Sequence, residues 1–357
     1  MTLFLASVTS PAEAELALAG GADIIDCKDP AKGALGALAP AAVSEIVRTI
    51  GGAKPVSAVT GDLPMQPDVI AAAAQAMAAA GADYIKVGLF PSALPGAARA
   101  DCIRALAPLA ARHKIIGVLF ADRSPDFELL ALLAQSGFAG AMLDTAGKGA
   151  GRLLTHQGMP ALDAFIKACK AKALLCGLAG SLEPPDVPRL LALSPDFLGF
   201  RGALCAGGAR GARLDAAALA HIRSLIAPRS APAPAGSVTD RIFVSDFTVA
   251  MRIGAYAHEL IAPQRVRFNV EASVARSSHQ GDDMHGDMRD VFSYDLITDA
   301  IRMLAAAETF TLAETVAERV AALVLQHPRA RHVRVRVEKL DLGPYRVGVE
   351  IERERPD

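Results

Sequence analysis

Apolar and polar positions in the N-terminal part of the chain follow a repeating pattern. An apolar, helix-like segment runs through Gly into a short apolar strand that ends in charge, as in ELALAGGADIIDCK, AAAGADYIKVG and AQSGFAGAMLDTAGK. Glycine commonly ends an apolar helix, so each unit predicts a helix followed by a strand. The first helix is predicted to begin at Ser10-Pro11, with Glu13 in its first turn. The pattern predicts eight strands, near residues 3–7, 23–28, 55–59, 83–88, 115–120, 140–144, 174–180 and 197–202.

Eight strand-helix units in about 229 residues favour an α/β fold, a closed TIM-type (β/α)8 barrel. A doubly wound open sheet is the alternative, but such sheets rarely need eight strands, and no GxGxxG turn follows the first strand. In a (β/α)8 barrel the chemistry takes place at the carboxyl ends of the strands.

The hydrophobic period changes after Thr239. RIFVSDFTVAMRIG and QRVRFNVEASVA alternate like antiparallel strands, two amphipathic helices follow, and HVRVRVEKL and YRVGVEIERE alternate again. The order ββααββ predicts an α+β domain, with a four-stranded sheet and helices on one side. Such a sheet has open edges and a second face to cover, so we expect homo-oligomers that form through this domain.

The segment SAPAPAGSV marks a break between the two patterns. Alternating Ala and Pro without apolar periodicity is typical of an extended linker. The sequence therefore predicts a barrel over 1–229, a linker over 230–238 and an α+β domain over 239–357.

Composition narrows the classes of function. The net charge of −1, the scattered basic residues and the absence of Trp argue against a nucleic-acid partner and a polybasic membrane surface. Five cysteines at irregular spacings without CxxC indicate reduced thiols. The start MTLFLASVTS has no basic region and fits a first strand better than a signal peptide, and no apolar run reaches membrane-spanning length. We expect a cytoplasmic protein with small-molecule substrates.

Charged residues gather where the predicted barrel strands end. Asp26 and Lys28 end strand two, Lys86 ends strand four, Asp144 ends strand six and Lys148 follows it. Asp26 and Lys28 share one face of their strand, so we expect them to pair and to react. A buried lysine beside another ammonium becomes a nucleophile that can form a Schiff base with a carbonyl, while a second lysine moves protons. Ordinary interior ion pairs are the alternative.

The last two strands end in turns that suit an anion. Gly180-Ser181 ends strand seven and Arg201-Gly202 ends strand eight. In (β/α)8 barrels these two turns commonly bind phosphate through backbone N–H groups and a helix N-terminus. The sequence therefore predicts a phosphorylated substrate.

The stretches GGADIIDCKDPAKGALGA, GADYIKVGLF, AMLDTAGK, LAGSL and GFRGALCAGG resemble the (5-formylfuran-3-yl)methyl phosphate synthases of methanofuran biosynthesis over essentially all of 1–225. The resemblance implies a lyase related to class I aldolases, without a cofactor, that condenses two glyceraldehyde 3-phosphates with loss of phosphate and water. It implies that Lys28 is the Schiff-base lysine and Lys86 the proton acceptor, supported by Asp26, Asp144 and Lys148. The loop 149–152 is less charged here than is usual in that family. The alternative is another phosphosugar aldolase or isomerase with a non-catalytic, oligomerising tail.

The C-terminal region resembles dihydroneopterin aldolase at DRIFV, IGAYAHE, FSYDLI, LAETVAE and RVEKL. The resemblance implies the T-fold, with sites between subunits, and a bifunctional enzyme that also acts on a dihydropterin. It implies that Glu314 holds the pterin, that Lys339 and Tyr294 move protons, and that Glu259 lies near the substrate side chain. Leu340 stands where that family usually has Pro. The alternative is a domain that has lost its catalytic activity and is kept for oligomerisation.

The stretch SSHQGDDMHGDM over 277–288 contains His and Asp residues that could suggest a metal site. It lacks the regular spacing of a rigid site, so we interpret it as a polar loop and predict no metal.

Overall fold

A computed structural model describes residues 1–91, 97–147, 149–227, 239–256, 259, 261–275, 291–307 and 309–356. The chain forms two compact units, Met1–Pro228 and Arg229–Asp357. Residues 228–238 lie outside the described ranges, so the predicted linker and the exact domain bounds stay predictions.

The first unit is a closed barrel of eight parallel strands in chain order. The predicted (β/α)8 barrel is confirmed, and each observed strand overlaps a predicted one. The strands are β1 Leu3–Val8, β2 Ile24–Cys27, β3 Val56–Val59, β4 Tyr84–Gly88, β5 Lys114–Phe120, β6 Gly140–Asp144, β7 Leu175–Leu178 and β8 Phe197–Phe200.

Helices connect the strands, and local sequence explains where the first of them begins. The Ser10 hydroxyl accepts a hydrogen bond from the Glu13 amide, and Pro11 occupies the first turn, as the sequence predicted. The helices are α1 Pro11–Ala19, α2 Pro40–Ile50, α3 Pro67–Ala79, α4 Ala97–Ala105, α5 Ala107–Ala110, α6 Leu129–Gln135, α7 Leu153–His156, α8 Met159–Lys170, α9 Asp186–Leu191 and α10 Ala216–Ile226.

An aspartate directly precedes three of the even-numbered strands and sets their register. Each carboxylate accepts the backbone N–H of the facing residue in the preceding strand, so a side chain fixes the start of the strand pair. The bonds are Phe4 N to Asp23 at 3.0 Å, Val56 N to Asp83 at 2.8 Å and Cys176 N to Asp196 at 2.7 Å.

The barrel interior is apolar below its carboxyl end. A buried hydrophobic cluster includes Leu5, Ile24 and Met142. Each of these lies two residues before a polar residue of the same strand, namely Ser7, Asp26 and Asp144. Because side chains alternate along a strand, the polar residues share the inward phase and lie one layer nearer the carboxyl end.

The second unit contains a four-stranded antiparallel sheet in the order β12-β11-β10-β9. Its elements follow the predicted order ββααββ, which is confirmed. They are β9 Thr239–Met251, β10 Gln264–Ala275, α11 Tyr294–Ala307, α12 Ala313–Leu325, β11 Ala330–Lys339 and β12 Val347–Glu354.

One face of this sheet is apolar and the other is charged. Alternate residues of β10 and β11, such as Phe268 and Val335, are buried in one cluster with residues of α11 and α12. The intervening positions form cross-strand ion pairs, including Arg267 with Glu338 at 2.8 Å and Arg334 with Glu352 at 2.5 Å. The core therefore lies on the helix side alone.

Candidate active site

Four ionisable side chains meet inside the barrel at its carboxyl end. Lys86 Nζ lies 2.6 Å from Asp26 Oδ1, and Lys28 Nζ lies 3.1 Å from Asp144 Oδ2. All four residues are buried, with exposed fractions of 1% for Asp26, 7% for Lys28, 2% for Lys86 and 3% for Asp144. Each lysine pairs with a carboxylate from another strand, so the charge of each buried lysine is balanced within its own pair.

The interpretation that Asp26 pairs with Lys28 is wrong. The two residues lie near one another at the end of β2 and line one cavity, yet Asp26 contacts Lys86 and Lys28 contacts Asp144. Strand alternation determines the direction in which a side chain points. It does not determine which strand that side chain meets across a closed barrel.

Two serines hold the Asp26 carboxylate in place. Ser7 Oγ donates to Oδ2 at 2.9 Å, and Ser57 Oγ donates to Oδ1 at 2.5 Å. Both serines are the register partners of Asp26, on β1 and β3. With Lys86 they give the carboxylate three side-chain donors and so fix its orientation. The sequence analysis missed these serines, although both stand in the inward phase of apolar strands.

Lys86 has an environment suited to proton transfer. Burial lowers the pKa of Lys86 below its usual value; Asp26 raises that pKa and the Lys28 ammonium lowers it again. An amine with a lowered pKa gives up its proton more readily and is then able to accept one from a neighbouring atom.

A cavity of about 590 Å³ opens at this end of the barrel. Its volume suits a small-molecule substrate. The two lysines and two aspartates line it, and so do the four predicted phosphate-binding residues, Gly180, Ser181, Arg201 and Gly202. The structure thus brings the four ionisable residues and the four predicted phosphate-binding residues to one cavity. The role of each residue stays a prediction.

The turn after β7 has a backbone shape that favours glycine. Gly180 has φ 118° and Ser181 has φ 51°, both in the left-handed region. A Cβ on Gly180 would lie 2.9 Å from Thr145 Cγ2, so the turn packs closely against the residue after Asp144.

The Arg201 guanidinium is fully engaged by the protein. Its five donors are satisfied as follows: Nε by Arg210 O at 3.0 Å, Nη1 by Ser7 O at 3.1 Å and Glu13 Oε2 at 2.6 Å, and Nη2 by Ala212 O at 2.9 Å and Glu13 Oε1 at 3.2 Å. These contacts tie the segment after β8 to β1 and α1.

Glu13, the partner of Arg201, is a buried carboxylate that remains ionised. Burial alone would raise the pKa of Glu13, but hydrogen bonds from Arg201 and Thr9 outweigh burial and hold this pKa below its usual value. The sequence analysis used Glu13 only as a helix-start signal and missed this contact.

Lys148 lies outside the described residues, but the backbone just before it is well anchored. Asp122, which follows β5, accepts the amides of Ala146 at 2.8 Å and Gly147 at 2.7 Å. Burial would raise the pKa of Asp122, but these backbone hydrogen bonds outweigh burial and lower it.

The loop after Lys28 is anchored in the same way. Asp62, which follows β3, accepts the amides of Ala34 at 2.7 Å and Leu35 at 2.6 Å. A Cβ on Gly33 would lie 2.1 Å from Asp62 Oδ2, which explains the glycine there. Each anchoring aspartate follows a strand next to the one whose loop it holds. Neither was identified from the sequence.

In the second unit, the buried Glu259 forms an ion pair with the partly buried Lys339. Lys339 Nζ lies 2.7 Å from Glu259 Oε1, and the Tyr256 amide donates to Oε2 at 3.2 Å. The Lys339 ammonium is the main cause that lowers the pKa of Glu259 to about 2. A Cβ on Gly254 would lie 2.1 Å from the Glu259 carboxyl carbon, so this glycine makes room for the carboxylate.

The other two predicted residues of the second unit lie apart from this pair. Tyr294 begins α11 with 61% of its surface exposed, and Glu314 lies exposed in the first turn of α12. Within the described residues, the structure records no hydrogen bond or ion pair that joins either of them to Glu259 or Lys339.

No group of His, Cys, Asp and Glu with the geometry of a metal site occurs among the described residues. The stretch 277–288 lies outside them, so its interpretation as a loop stays a prediction. In the part of the chain that the structure describes, no helix has the length and apolar character needed to cross a membrane. All five cysteines are buried and free.

Comparison with known proteins decides the family. Residues 4–223 match the family model of 4-HFC-P synthase, which covers more than half of the chain. The chain belongs to the 4-HFC-P synthase family. Residues 242–352 match a second model, FolB, described as dihydroneopterin aldolase. Both resemblances found in the sequence motifs are confirmed, and the 4-HFC-P synthase domain is followed by a FolB-type domain.

Relatives of the 4-HFC-P synthase domain have been named. A protein of Methylorubrum extorquens, "Putative (5-formylfuran-3-yl)methyl phosphate synthase", is 46% identical over 217 residues, which span 61% of this chain and 88% of the relative. The "(5-formylfuran-3-yl)methyl phosphate synthase" of Archaeoglobus fulgidus is 36% identical over 220 residues, 57% of this chain and 90% of the relative.

Solved structures resemble each unit separately. Dihydroneopterin aldolase from Burkholderia thailendensis, bound to guanine, is 32% identical and covers 33% of this chain and 93% of its own, with a TM-score of 0.29. Phosphoribosyl anthranilate isomerase from Thermus thermophilus is 19% identical and covers 63% of this chain and 98% of its own, with a TM-score of 0.44.

Proposed function

We propose that the 4-HFC-P synthase domain condenses two molecules of glyceraldehyde 3-phosphate to (5-formylfuran-3-yl)methyl phosphate, for a methanofuran-type cofactor. Atom balance requires the release of one inorganic phosphate and two water molecules. The names of the relatives support this product. The observation that carries the proposal is the pair of buried lysines, each against a carboxylate of another strand, in one cavity.

Lys28 is the proposed nucleophile. Its amine adds to the aldehyde carbon of the first substrate, and loss of the carbonyl oxygen as water leaves an imine. Asp144 Oδ2, at 3.1 Å from Lys28 Nζ, is placed to take the proton that the ammonium gives up and to return it to the departing hydroxyl. Lys28 and Asp144 together thus balance the protons of imine formation.

Lys86 is the proposed proton acceptor. The imine draws electrons from the neighbouring carbon, and an unprotonated Lys86 removes the proton of that carbon, leaving an enamine. The enamine is the carbon nucleophile for the second substrate molecule. Burial, which lowers the pKa of Lys86, supports this role, and Asp26 with its two serine donors holds the Lys86 amine in position.

Borohydride trapping tests the scheme. Reduction in the presence of glyceraldehyde 3-phosphate should add one substrate, less its carbonyl oxygen, to the peptide that contains Lys28. In a separate assay without borohydride, furan formation should be visible in the ultraviolet. Lys28→Arg should form no adduct, whereas Lys86→Arg should form the adduct and turn over poorly. The matched control is Lys114→Arg, because Lys114 is exposed at the start of β5, the opposite end of the barrel.

The outcomes separate the proposal from its alternatives. An adduct on Lys28 without any furan product would indicate another phosphosugar aldolase on the same barrel. An adduct that survives in Lys28→Arg would refute the assignment of the nucleophile. Normal turnover in Lys86→Arg would remove the proton-transfer role of Lys86.

We also propose that the FolB-type domain cleaves a dihydroneopterin to 6-hydroxymethyl-dihydropterin and glycolaldehyde. The buried Glu259–Lys339 pair is the specific observation that favours it. In this retro-aldol reaction a base takes the side-chain hydroxyl proton, the carbon–carbon bond breaks, and the electron pair is held by the pterin ring until it is protonated. Lys339 and Tyr294 are the proposed proton carriers, Glu314 the pterin ligand, and Glu259 a neighbour of the substrate chain.

Tyr294 and Glu314 are exposed in the single chain, so we propose that a second copy completes the site through this domain. Release of glycolaldehyde from dihydroneopterin by the whole protein, abolished in Lys339→Ala, would support the activity. An intact oligomer that releases no glycolaldehyde would indicate a domain kept for assembly.

A further inference from the structure

Arg210 lines the same cavity as Lys28, and no carboxylate of the described residues pairs with it. Within residues 1–91, 97–147 and 149–227, no carboxylate oxygen lies within 4.0 Å of its guanidinium, and its recorded side-chain hydrogen bond is a long one, 3.5 Å, to Gly33 O. Burial lowers the pKa of Arg210, and the more distant Asp144 and Asp62 counteract this effect. The side chain is therefore a partly buried cation at the cavity wall.

The other charged residues of the cavity wall are neutralised by partners. The pairs are Lys86 with Asp26 at 2.6 Å, Lys28 with Asp144 at 3.1 Å, Arg201 with Glu13 at 2.6 Å, and Glu183 with Arg152 at 2.5 Å. Arg152 also contacts Asp186 at 3.4 Å, so what distinguishes Arg210 among the charged residues of the wall is that no carboxylate of the described residues lies within ion-pair distance of it. A cavity with an unbalanced cation favours an anionic ligand.

Arg201 fixes the position of Arg210. Arg201 Nε donates to the carbonyl of Arg210 at 3.0 Å, and Nη2 donates to Ala212 O at 2.9 Å. Glu13 extends the contact, because its Oε1 accepts the amide of Leu214 at 3.3 Å. The Arg201–Glu13 pair therefore holds the backbone at Arg210 and just after it, and the remaining donors of Arg201 are used by Glu13 and Ser7 O.

We propose that Arg210 binds the phosphate group of glyceraldehyde 3-phosphate and that Arg201 is a positioning residue behind it. The identity of the substrate rests on the proposed function. A guanidinium fork matches two phosphate oxygens, and the phosphate supplies the missing negative charge. The amides of Ser181 and Gly202 have no acceptor among the described residues of this unit, and they extend the phosphate site along the two turns.

The test measures binding of glycerol 3-phosphate by titration calorimetry, because this ligand has the phosphate but no carbonyl to react. Arg210→Gln should weaken binding by about 10- to 100-fold. Arg210→Lys should have an intermediate effect, since it keeps the charge but loses the fork. The matched control is Arg213→Gln, an exposed arginine of the same segment, which should bind like the wild type.

A second measurement separates phosphate binding from a structural role. Borohydride trapping of unphosphorylated glyceraldehyde on Lys28 should be equal in Arg210→Gln and wild type, whereas trapping at low glyceraldehyde 3-phosphate should fall in the variant. Equal affinity of wild type and Arg210→Gln for glycerol 3-phosphate would overturn the inference, and so would an absence of binding by the wild type. If glycerol 3-phosphate binds in a way that depends on Arg210 but no furan product forms, the proposed function is refuted and the phosphate site is supported.

Discussion

The barrel and the second unit each bury a lysine against a carboxylate, but the two units complete their sites differently. In the barrel, Lys86 of β4 pairs with Asp26 of β2, and Lys28, directly after β2, pairs with Asp144 of β6. In the second unit, Glu259 and Lys339 form one pair, while Tyr294 and Glu314 lie exposed at the starts of two helices.

The difference follows from sheet geometry. A closed parallel barrel directs all its carboxyl ends to one place, so residues from several strands meet within a single chain. An open antiparallel sheet with helices on one face has no such convergence point. Its exposed residues come close to the residues of another sheet only when a second copy pairs with it. We therefore expect the barrel site to withstand dissociation of an oligomer and the second site to be lost with it.

The largest expected effect comes from breaking a barrel pair. Asp26→Ala leaves the Lys86 ammonium buried without a partner, which should cost about 3–5 kcal/mol of the free energy of unfolding. Urea unfolding of the whole chain, fitted as two transitions, measures this cost. The control is Asp101→Ala, whose pair with Arg104 is exposed and should cost under about 1 kcal/mol. A cost as small as the control's would mean that Lys86 is neutral in the folded barrel.

The pair in the second unit should show its effect through pH. The pKa of Glu259 falls from 4.5 to about 2 on folding, so its ionised form is favoured in the folded state. The stabilisation is fully present above pH 4.5 and is lost as pH falls toward 2. At neutral pH, Glu259→Gln should lose about 2 kcal/mol relative to wild type. Calorimetry between pH 2 and 7 should show this difference shrink with acid; a constant difference would contradict the assignment.

The loop anchors should affect turnover more than stability. Asp122→Ala frees the amides of Ala146 and Gly147 before Lys148, and we expect kcat for furan formation to fall roughly tenfold. Asp163→Ala, on α8 in a pair with the exposed Lys167, is the control and should leave kcat unchanged. A drop in thermal stability without a change in kcat would show that the anchor serves folding alone.

The smallest effect is expected on the charged face of the second sheet. Arg334 and Glu352 are each about half exposed in their pair, so Arg334→Gln should cost less than about 1 kcal/mol. Thermal unfolding at low and high salt measures this, with the small loss disappearing at high salt. A larger, salt-independent loss would mean that another copy covers this face in solution.

Strand phase and apolar periodicity were sufficient to predict the barrel, its eight strands and eight of the residues that line the cavity at its carboxyl end. They could not predict the pairing of Asp26 with Lys86, because alternation does not say which strands meet across the interior. Ser7 and Ser57 gave too weak a signal, since serine is common in strands and turns alike. The engagement of Arg201 depends on Glu13, which is distant in sequence and comes close only when β8 closes against β1.

The residues of the second unit were identified through family resemblance rather than through periodicity. Alternation predicted its strands and the helix-covered face, and both are confirmed. No pattern in the sequence connects Glu259 to Lys339, because the two positions meet only through the β10–β11 register and the turn at Gly254.

Asp23, Asp83 and Asp196, directly before β2, β4 and β8, each hold the start of one strand pair. Strand pairs with and without such an aspartate should therefore open locally at different rates. At the equivalent position before β6 the chain has Ala139, which offers no carboxylate to the backbone of Ile115. In a hydrogen-exchange experiment, the amide of Ile115 should gain deuterium sooner than those of Phe4, Val56 and Cys176. The start of the β5–β6 pairing would then open locally before the starts of the three pairings that an aspartate holds.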